Sequence, residues 1–545
     1  MFIFGPSDLL ELTLAALLVL MAIISRPWIV PAARRLARKT GWCMLLLALL
    51  PVALRLALLP HHPVPSPDVY DEFGHLLVAD TLLHFRLANP PHPLHQFFET
   101  FFVLQTPAYA SIYPIGQGLV LAIGRAIFGL PWAGVLLSTA VLCSLCYWML
   151  RGWTTPEWAL LGGVLAVIEF GPLSAWMDSY WGGSLAGVAG CLVFGALPRI
   201  RASGRLRDGA LLGLGLALHW LTRPYETIFL GVAVLLFLLP SWRALAKPAA
   251  AAAIVLLPAV GLSLLQNKRI TNSWTILPYA LSRFQYGVPA AFTWQTNPQP
   301  HQDLTREQQF QYKMQTSFRA SGPETIATYL QRLEYRVRFY RFFFIPPLYV
   351  VLPFFFLKLG DFRFVWATLT LLLFALGVNF YPFFEVHYLG ALTCLFLLVS
   401  VTALDRLNHD ASRLVVYLCL AHFVFFYSRS FFDRPAPDRR ATVNRQLAQA
   451  PGQQLVFVRY WPQHIFQDEW VYNAADIDHA SIVWARDLGS SEDQKLLRYY
   501  PGRTAWLLEP DATPPKLSPY HVEVEQPKPA PPPNKSQPLR FEQVH

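Results

Sequence analysis

The stretch PSPDVYDEFGHLLVADTLLHFRLANPPHP, residues 65–93, decides how this chain is read. It places Asp68, Asp71 and Glu72 immediately after an apolar run at about 42–60, a run of bilayer-crossing length. Three carboxylates at the mouth of a membrane helix repel one another, so at least one is expected above its ordinary pKa unless a cation or metal lies close by. A carboxylate tuned in that way suits general-base work. A hydrated acidic loop is the plain alternative, and spacing alone leaves both open. The same loop carries His61, His62, His75, His84, His92 and His95. Glu72 and His75, three apart, share a helical face and with Asp71 make a candidate site for a divalent metal ion, although no complete ligand set is present. Hydrogen-bonding or interfacial histidines are the simpler reading.

Outward from this loop the chain is overwhelmingly apolar. Of its 545 residues 54% are hydrophobic and only 14% charged, against about 25% charged in soluble proteins. That excludes a cytosolic enzyme, a disordered chain and a collagen-like fibre. Apolar runs near 9–24, 42–60, 132–150, 157–173, 183–198, 209–222, 226–240, 249–265, 344–357, 364–380, 388–404 and 414–429 give twelve expected spans. The net charge of +10 lies mainly in short loops between runs, where it reports membrane orientation and not a nucleic-acid partner. Arg26, Arg34, Arg35, Arg38 and Lys39 follow the first run, and Arg151, Arg199, Arg201, Arg205, Arg207, Arg243, Lys247, Lys358, Arg363, Arg406 and Arg413 fall in every second loop thereafter. This alternation places the N-terminus and the long loops 61–131 and 266–343 on the non-cytoplasmic side, in a multi-pass plasma (inner) membrane protein. The 344–357 run is the weak point of that count.

The fold class expected is therefore mainly α: a polytopic helix bundle with a small extracytoplasmic α/β domain. Residues 1–40 form an extra N-terminal helix and basic loop, 41–429 the transmembrane module, 430–512 the α/β domain and 513–545 a Pro-rich tail. Strands are expected at 454–460, 481–487 and 504–510, with a helix at 491–500. The segment 113–129 is apolar but holds Gln117 and Arg125, and reads as a helix lying at the membrane surface. Cys43, Cys143, Cys146, Cys191, Cys394 and Cys419 all sit in apolar runs, as packing residues do.

Other loops on the same side bring ionisable groups to the level of Asp71. They are Asp178 in SAWMDSYWGGS (174–184), Arg223 and Glu226 in LTRPYET (221–227), Glu385, His387 and Tyr388 in YPFFEVHYLG (381–390), and Arg283 in LPYALSRFQYGVP (277–289). Charges at helix ends facing a bundle interior are candidate functional groups, with helix-holding ion pairs as the competing account for Arg223 and aromatic belts for Trp and Tyr. A site on this face has no access to nucleotide-activated donors made in the cytoplasm. An energised donor must arrive in the lipid bilayer, and a polyprenyl-phosphate sugar meets that condition.

On these residues the sequence resembles the GT-C class of integral-membrane glycosyltransferases, which includes protein O-mannosyltransferases, aminoarabinose transferases and Rgt-type lipopolysaccharide sugar transferases. The Asp71-Glu72-Phe73 element after a span is similar to that class's first-loop Asp-Glu pair. WMDSYWGG is similar to its second loop, with Asp178 as the acid, and HYLGAL (387–392) to a His/Tyr stretch opening a late helix. The likeness spans about residues 40–405 in layout. Two departures stand out: the Lys-Pro-Pro element of many members falls at Tyr113-Pro114-Ile115, without its lysine, and the first helix is additional. The resemblance implies inverting transfer of a sugar from a polyprenyl-phosphate donor to an extracytoplasmic lipid, glycan or protein acceptor. Asp71 would act as base with Asp68 competing, Glu72 would orient base or acceptor, and Arg223 with His387 would bind phosphate. Asp178, Tyr388 and Arg283 would contact substrate, and no cofactor is firmly required. The alternatives are a transporter or flippase of a lipid-linked sugar, for which no paired repeats are evident, and an anchored assembly protein, for which twelve spans are excessive.

Overall fold

The computed structural model describes residues 9–521, except 10, 11, 14, 15, 18, 19, 22, 25, 291, 318–323, 434–437 and 466. Seven of the sixteen residues of the first expected span, 9–24, and the tail beyond 521 lie outside the described residues. Seven helices are long and apolar enough to cross a membrane: Thr40–Ala57, Pro131–Leu150, Gly183–Ser203, Pro224–Ser241, Ala246–Thr271, Val386–Leu404 and His409–Arg429. Pro156–Phe170, Leu206–Thr222 and Phe362–Val378, of 15, 17 and 17 residues, fill in the alternating path. The chain is an integral membrane protein, mainly helical, with its only large sheet among the described residues near the C-terminus.

Gly183–Ser203 is the axis of the bundle and is buried along nearly its whole length. Small residues let its backbone meet the segment beginning at Val386 directly, as membrane helices packed without a hydrophobic driving force require. A β-carbon on Gly190 would lie 1.9 Å from the Ala391 carbonyl oxygen and 2.6 Å from its carbon. Gly190→Ala should therefore push these two elements apart and cost about 1–3 kcal/mol, read as a lower unfolding temperature in detergent. An unchanged midpoint would show that the contact is looser than described.

One expected span is built differently. The run 344–357 is no α-helix; it belongs to a succession of short 3₁₀ turns, Arg338–Phe343, Pro346–Val350 and Leu352–Lys358. Pro346, Pro347 and Pro353 lack the N–H that a continuous helix needs, which breaks the ladder repeatedly. The segment still runs the depth of the bundle. Next to its start, Arg336 donates to the carbonyls of Val378 (3.1 Å), Tyr381 (2.7 Å) and Pro382 (2.9 Å). At its end, Lys358 pairs with Asp405 at 3.0 Å, just past the far terminus of Thr393–Leu404. Alternation is therefore preserved, and the loops near residues 61–131 and 266–343 share one end of the bundle with the C-terminal region.

At that end the helix Ile115–Phe128 buries Ile115, Gln117 and Leu121 and exposes Leu119, Ile123, Ile127 and Phe128. The C-terminal sheet has the order Ile482–Arg486, Gln454–Val458, Thr504–Glu509, Lys516–Pro519, with the first two pairings parallel and the last antiparallel. Strand alternation divides its residues between two faces. Leu455 and Phe457 join Leu77, Phe97, Phe98 and Val103 of the first long loop in one buried cluster. Val456 and Val458 pack under the helix Arg439–Gln449 with Val443 and Leu447. The domain thus shares its core with the loop and is not tethered loosely.

Polar contacts reinforce that join. Asp80 accepts from the Ala475 amide at 2.7 Å and pairs with Arg125 at 2.9 Å. The Phe73 and Tyr472 rings stack, with centroids 4.3 Å apart, and the Tyr472 hydroxyl lies 3.2 and 3.1 Å from the carbonyl oxygens of Tyr70 and Phe101. Arg486, 4% exposed in its side chain, pairs with Glu469 at 2.8 Å and with Glu307 at 2.9 Å, and donates to the Glu99 carbonyl at 2.5 Å.

Candidate active site

Pro65 and Pro67 keep the chain extended ahead of the helix Tyr70–Leu83. Glu72 then closes the helix start. One of its oxygens accepts from the amides of Asp68 (2.8 Å) and Val69 (3.3 Å), the other from the Tyr180 amide at 2.8 Å. Its carboxylate satisfies orphan backbone donors and ties the first loop to the second. This departs from the orienting role expected for Glu72. Asp68, the competing base, is exposed.

Asp71 is different. It is half-buried, and its Oδ1 accepts a hydrogen bond from the Tyr113 hydroxyl. Burial raises its pKa, while the Tyr113 hydrogen bond and the charge of Arg223 work in the opposite direction. One turn on, His75 is buried with its ring 4.5 Å from that of Tyr113. Burial and then the Arg223 charge push His75 down to about 3, so it is neutral at ordinary pH. Its Nδ1 has no hydrogen-bond partner.

Arg223 sits between two helices, Leu206–Thr222 and Pro224–Leu238, where Pro224 starts the second. Its amide donates to the His219 carbonyl at 2.6 Å. The guanidinium is half-buried and lies over the Tyr388 ring, 4.6 Å from its centre, a cation–π contact. Among the described residues it forms no ion pair within 4.0 Å. Its charge is felt by Asp71, Glu226, Glu385 and His387. Burial, and then the neighbouring Asp71, raise the pKa of Glu385. His387 is buried with Trp181 edge-on at 4.8 Å and Tyr388 at 4.9 Å. The fold thus brings together Asp71, His75, Arg223, His387 and Tyr388 from three separate parts of the sequence.

Other expected residues lie elsewhere. Asp178 is paired with the buried Arg55 at 2.6 Å, and Arg55 also donates to the carbonyls of His62 (3.0 Å) and Pro63 (3.1 Å). Burial raises the Asp178 pKa and Arg55 opposes it. This is a clamp between the first long loop and the second, not a part of the cluster. Arg283 stands at the rim, 3.5 Å from the Gln295 side-chain oxygen, with its charge reaching Tyr279. Tyr279 adjoins Tyr381 at 6.4 Å, and Tyr381 adjoins Tyr388 at 6.0 Å. The candidate metal site does not assemble: Glu72 is held by amides, and among the described residues no three His, Cys, Asp or Glu are grouped to hold a metal ion. Tyr113, which reaches Asp71 directly, was not among the expected site residues. Its place in the Tyr113-Pro114-Ile115 element, where the resemblance expects a lysine, was the one signal for it.

No family model and no curated protein matches the sequence. Among solved structures the chain is similar to ArnT from Cupriavidus metallidurans in the apo state, at 13% identity over 87% of this chain and 93% of that one, with a TM-score of 0.51. It is similar to the same protein bound to undecaprenyl phosphate, at 12% identity over 86% and 93%, with a TM-score of 0.50. Likeness at this identity speaks for architecture alone: the chain has a fold similar to that of ArnT.

Proposed function

We propose that this chain is an inverting glycosyltransferase that moves a sugar from a polyprenyl-phosphate donor to an acceptor on the extracytoplasmic face of the inner membrane. The observation that carries the reading is the meeting of a half-buried carboxylate, Asp71, with a cation, Arg223, that has no carboxylate within ion-pair distance among the described residues. A cation fixed by an aromatic face but not neutralised is prepared for an anionic ligand. ArnT, of like fold, has been solved with undecaprenyl phosphate, which supports a lipid-linked donor.

In this reading Asp71 takes the proton of an acceptor hydroxyl or amine. The freed electron pair attacks the sugar C1 from the face opposite the phosphate, and the C1–O bond breaks with its electrons passing to the polyprenyl phosphate. Arg223, held by Tyr388, receives the charge that develops on phosphate, with His387 beside it, the electrostatic share of the catalysis. Arg283 at the rim contacts sugar or acceptor. Asp68, exposed, is the weaker candidate for base. Glu72 and Asp178 serve by holding the loops that carry Asp71. No step is assigned to a metal.

The test uses purified protein in nanodiscs with undecaprenyl-phosphate sugars and membrane acceptors. Arg223→Gln removes a charged hydrogen-bond donor worth about 1.5–3 kcal/mol, so kcat/KM for the donor should fall roughly 10- to 100-fold. Donor translocation without transfer, or an unchanged kcat/KM in the variant, would overturn the reading.

A further inference from the structure

Resting on the assignment of Asp71 as the base, we propose that Tyr113 is its positioning residue: the phenol fixes one carboxylate oxygen so that the other faces the acceptor. Tyr113 is half-buried, packed against a buried cluster that includes Phe102 and Ile112. Its hydroxyl donates to Asp71 Oδ1, and its ring lies 4.5 Å from the His75 ring. The same ring edge closes over Gly74, where a β-carbon would come within 2.7 Å of it. Its backbone is pinned as well, the carbonyl accepting from the Gln266 side chain at 3.1 Å and the amide donating to Ser111 Oγ at 3.3 Å. Ring, hydroxyl and backbone are thus fixed on three sides, and the hydroxyl has one carboxylate in reach.

A carboxylate has two oxygens and a free rotation about its Cβ–Cγ bond. With Oδ1 tied to a phenol, the second oxygen keeps its lone pairs and points in one direction. The proton of the acceptor passes to this oxygen as the acceptor bonds to the sugar C1 and the phosphate departs. The phenol keeps its own proton throughout. A hydrogen bond donated to the charged form also favours ionisation, which offsets the burial of Asp71. The groups facing Asp71 come from every neighbouring element: Tyr70 and His75 of its own helix, Tyr113 before Ile115–Phe128, Arg223 at the start of Pro224–Leu238, Glu385 and Tyr388 of the late loop, and Tyr472 of the C-terminal domain. Of these, Tyr113 is the one with a direct side-chain hydrogen bond to it.

Tyr113→Phe keeps the ring contacts and removes only the hydroxyl. Two readouts separate this inference from the assignment beneath it. The first needs no substrate: infrared difference spectra during acid titration of the full-length protein, with the Asp71 carboxyl band identified by its loss in Asp71→Asn. In Tyr113→Phe that band should appear at a pH about one unit higher than in the wild type. The second is transfer from undecaprenyl-phosphate sugars: kcat should fall about 30-fold with the donor KM unchanged, and the acid limb should move in step with the band. If the band does not move and kcat is retained, Tyr113 is merely packed there, while a loss of transfer in Asp71→Asn still upholds the base. If Asp71→Asn retains transfer, the assignment of the base itself fails. A raised donor KM with unchanged kcat in Tyr113→Phe would overturn the positioning role in favour of a donor contact.

Discussion

With Asp71 as the proposed base, Asp71→Asn should lower transfer by about 10³-fold or more while leaving the helix Tyr70–Leu83 in place, because the amide keeps the size of the side chain but has no basic oxygen to take a proton; general-base contributions lie in the range of about 10²–10⁴. The accompanying pH behaviour follows from the environment of Asp71. Burial holds its pKa above the ordinary aspartate value, so the folded protein takes up this proton at a higher pH than the unfolded chain does. Transfer by the wild type should therefore decline as pH falls through that raised value, and the residual rate of the variant should lack this limb. The stability consequence has the opposite sense. An ionised Asp71 costs the folded state something at neutral pH, and Asp71→Asn should unfold at the same or a higher temperature than the wild type. A variant that is inactive because it has unfolded would contradict both statements, and a variant with near-normal rate would remove Asp71 from the chemistry.

Arg486→Leu should be among the most destabilising single changes in the C-terminal region. Its guanidinium is nearly inaccessible and answers two carboxylates, Glu469 and Glu307, as well as the Glu99 carbonyl. Removing it takes the ion-pair partner from Glu469, 2% exposed in its side chain; breaking a buried pair from one side costs about 3–5 kcal/mol, less here by what the Tyr460 hydroxyl and the Trp470 and Val471 amides still donate to that carboxylate. Thermal unfolding should show the loss directly, and limited proteolysis should find the domain released from the first long loop. Arg486→Leu combined with Glu307→Gln should cost less than the sum of the two single changes, because the second substitution removes one of the orphaned charges. Strict additivity would show that the ion pair contributes nothing to the junction.

What the sequence disclosed and what it withheld divide along physical lines. Apolar length identified the chain as a multi-pass helix bundle, a property of neighbouring residues; of the twelve expected spans, seven correspond to helices long and apolar enough to cross a membrane among the described residues. The strands at 454–458, 482–486 and 504–509 were legible for the same reason, from alternating apolar side chains bounded by turns. The 3₁₀ construction of 338–358 was not, although its prolines carried the warning. Asp71 and Arg223 were recognisable as charges at helix ends. Their meeting was not readable from spacing. Contacts between distant residues decided the remaining roles: Tyr113 reaches Asp71 across 42 positions, and Arg55 withdraws Asp178 from the cluster across 123. Glu72, next to Asp71 in the chain, faces another way because the amides at the start of its helix and the Tyr180 amide claim it.

The bond from the Ala475 amide to Asp80 joins positions 395 apart, and it sits one face away from the stacking of Phe73 on Tyr472. During synthesis, the helix bearing Asp71 leaves the ribosome long before the strands that back it exist. Until residues 454–509 have been translated and have docked, Phe73 lacks the Tyr472 ring it stacks on, and Leu77 has only the part of its cluster that the first long loop supplies. If Asp71 acts as proposed, a chain cut short before residue 454 should enter the membrane yet show no transfer, because the backing of its helix by Leu455, Phe457 and Tyr472 would be missing.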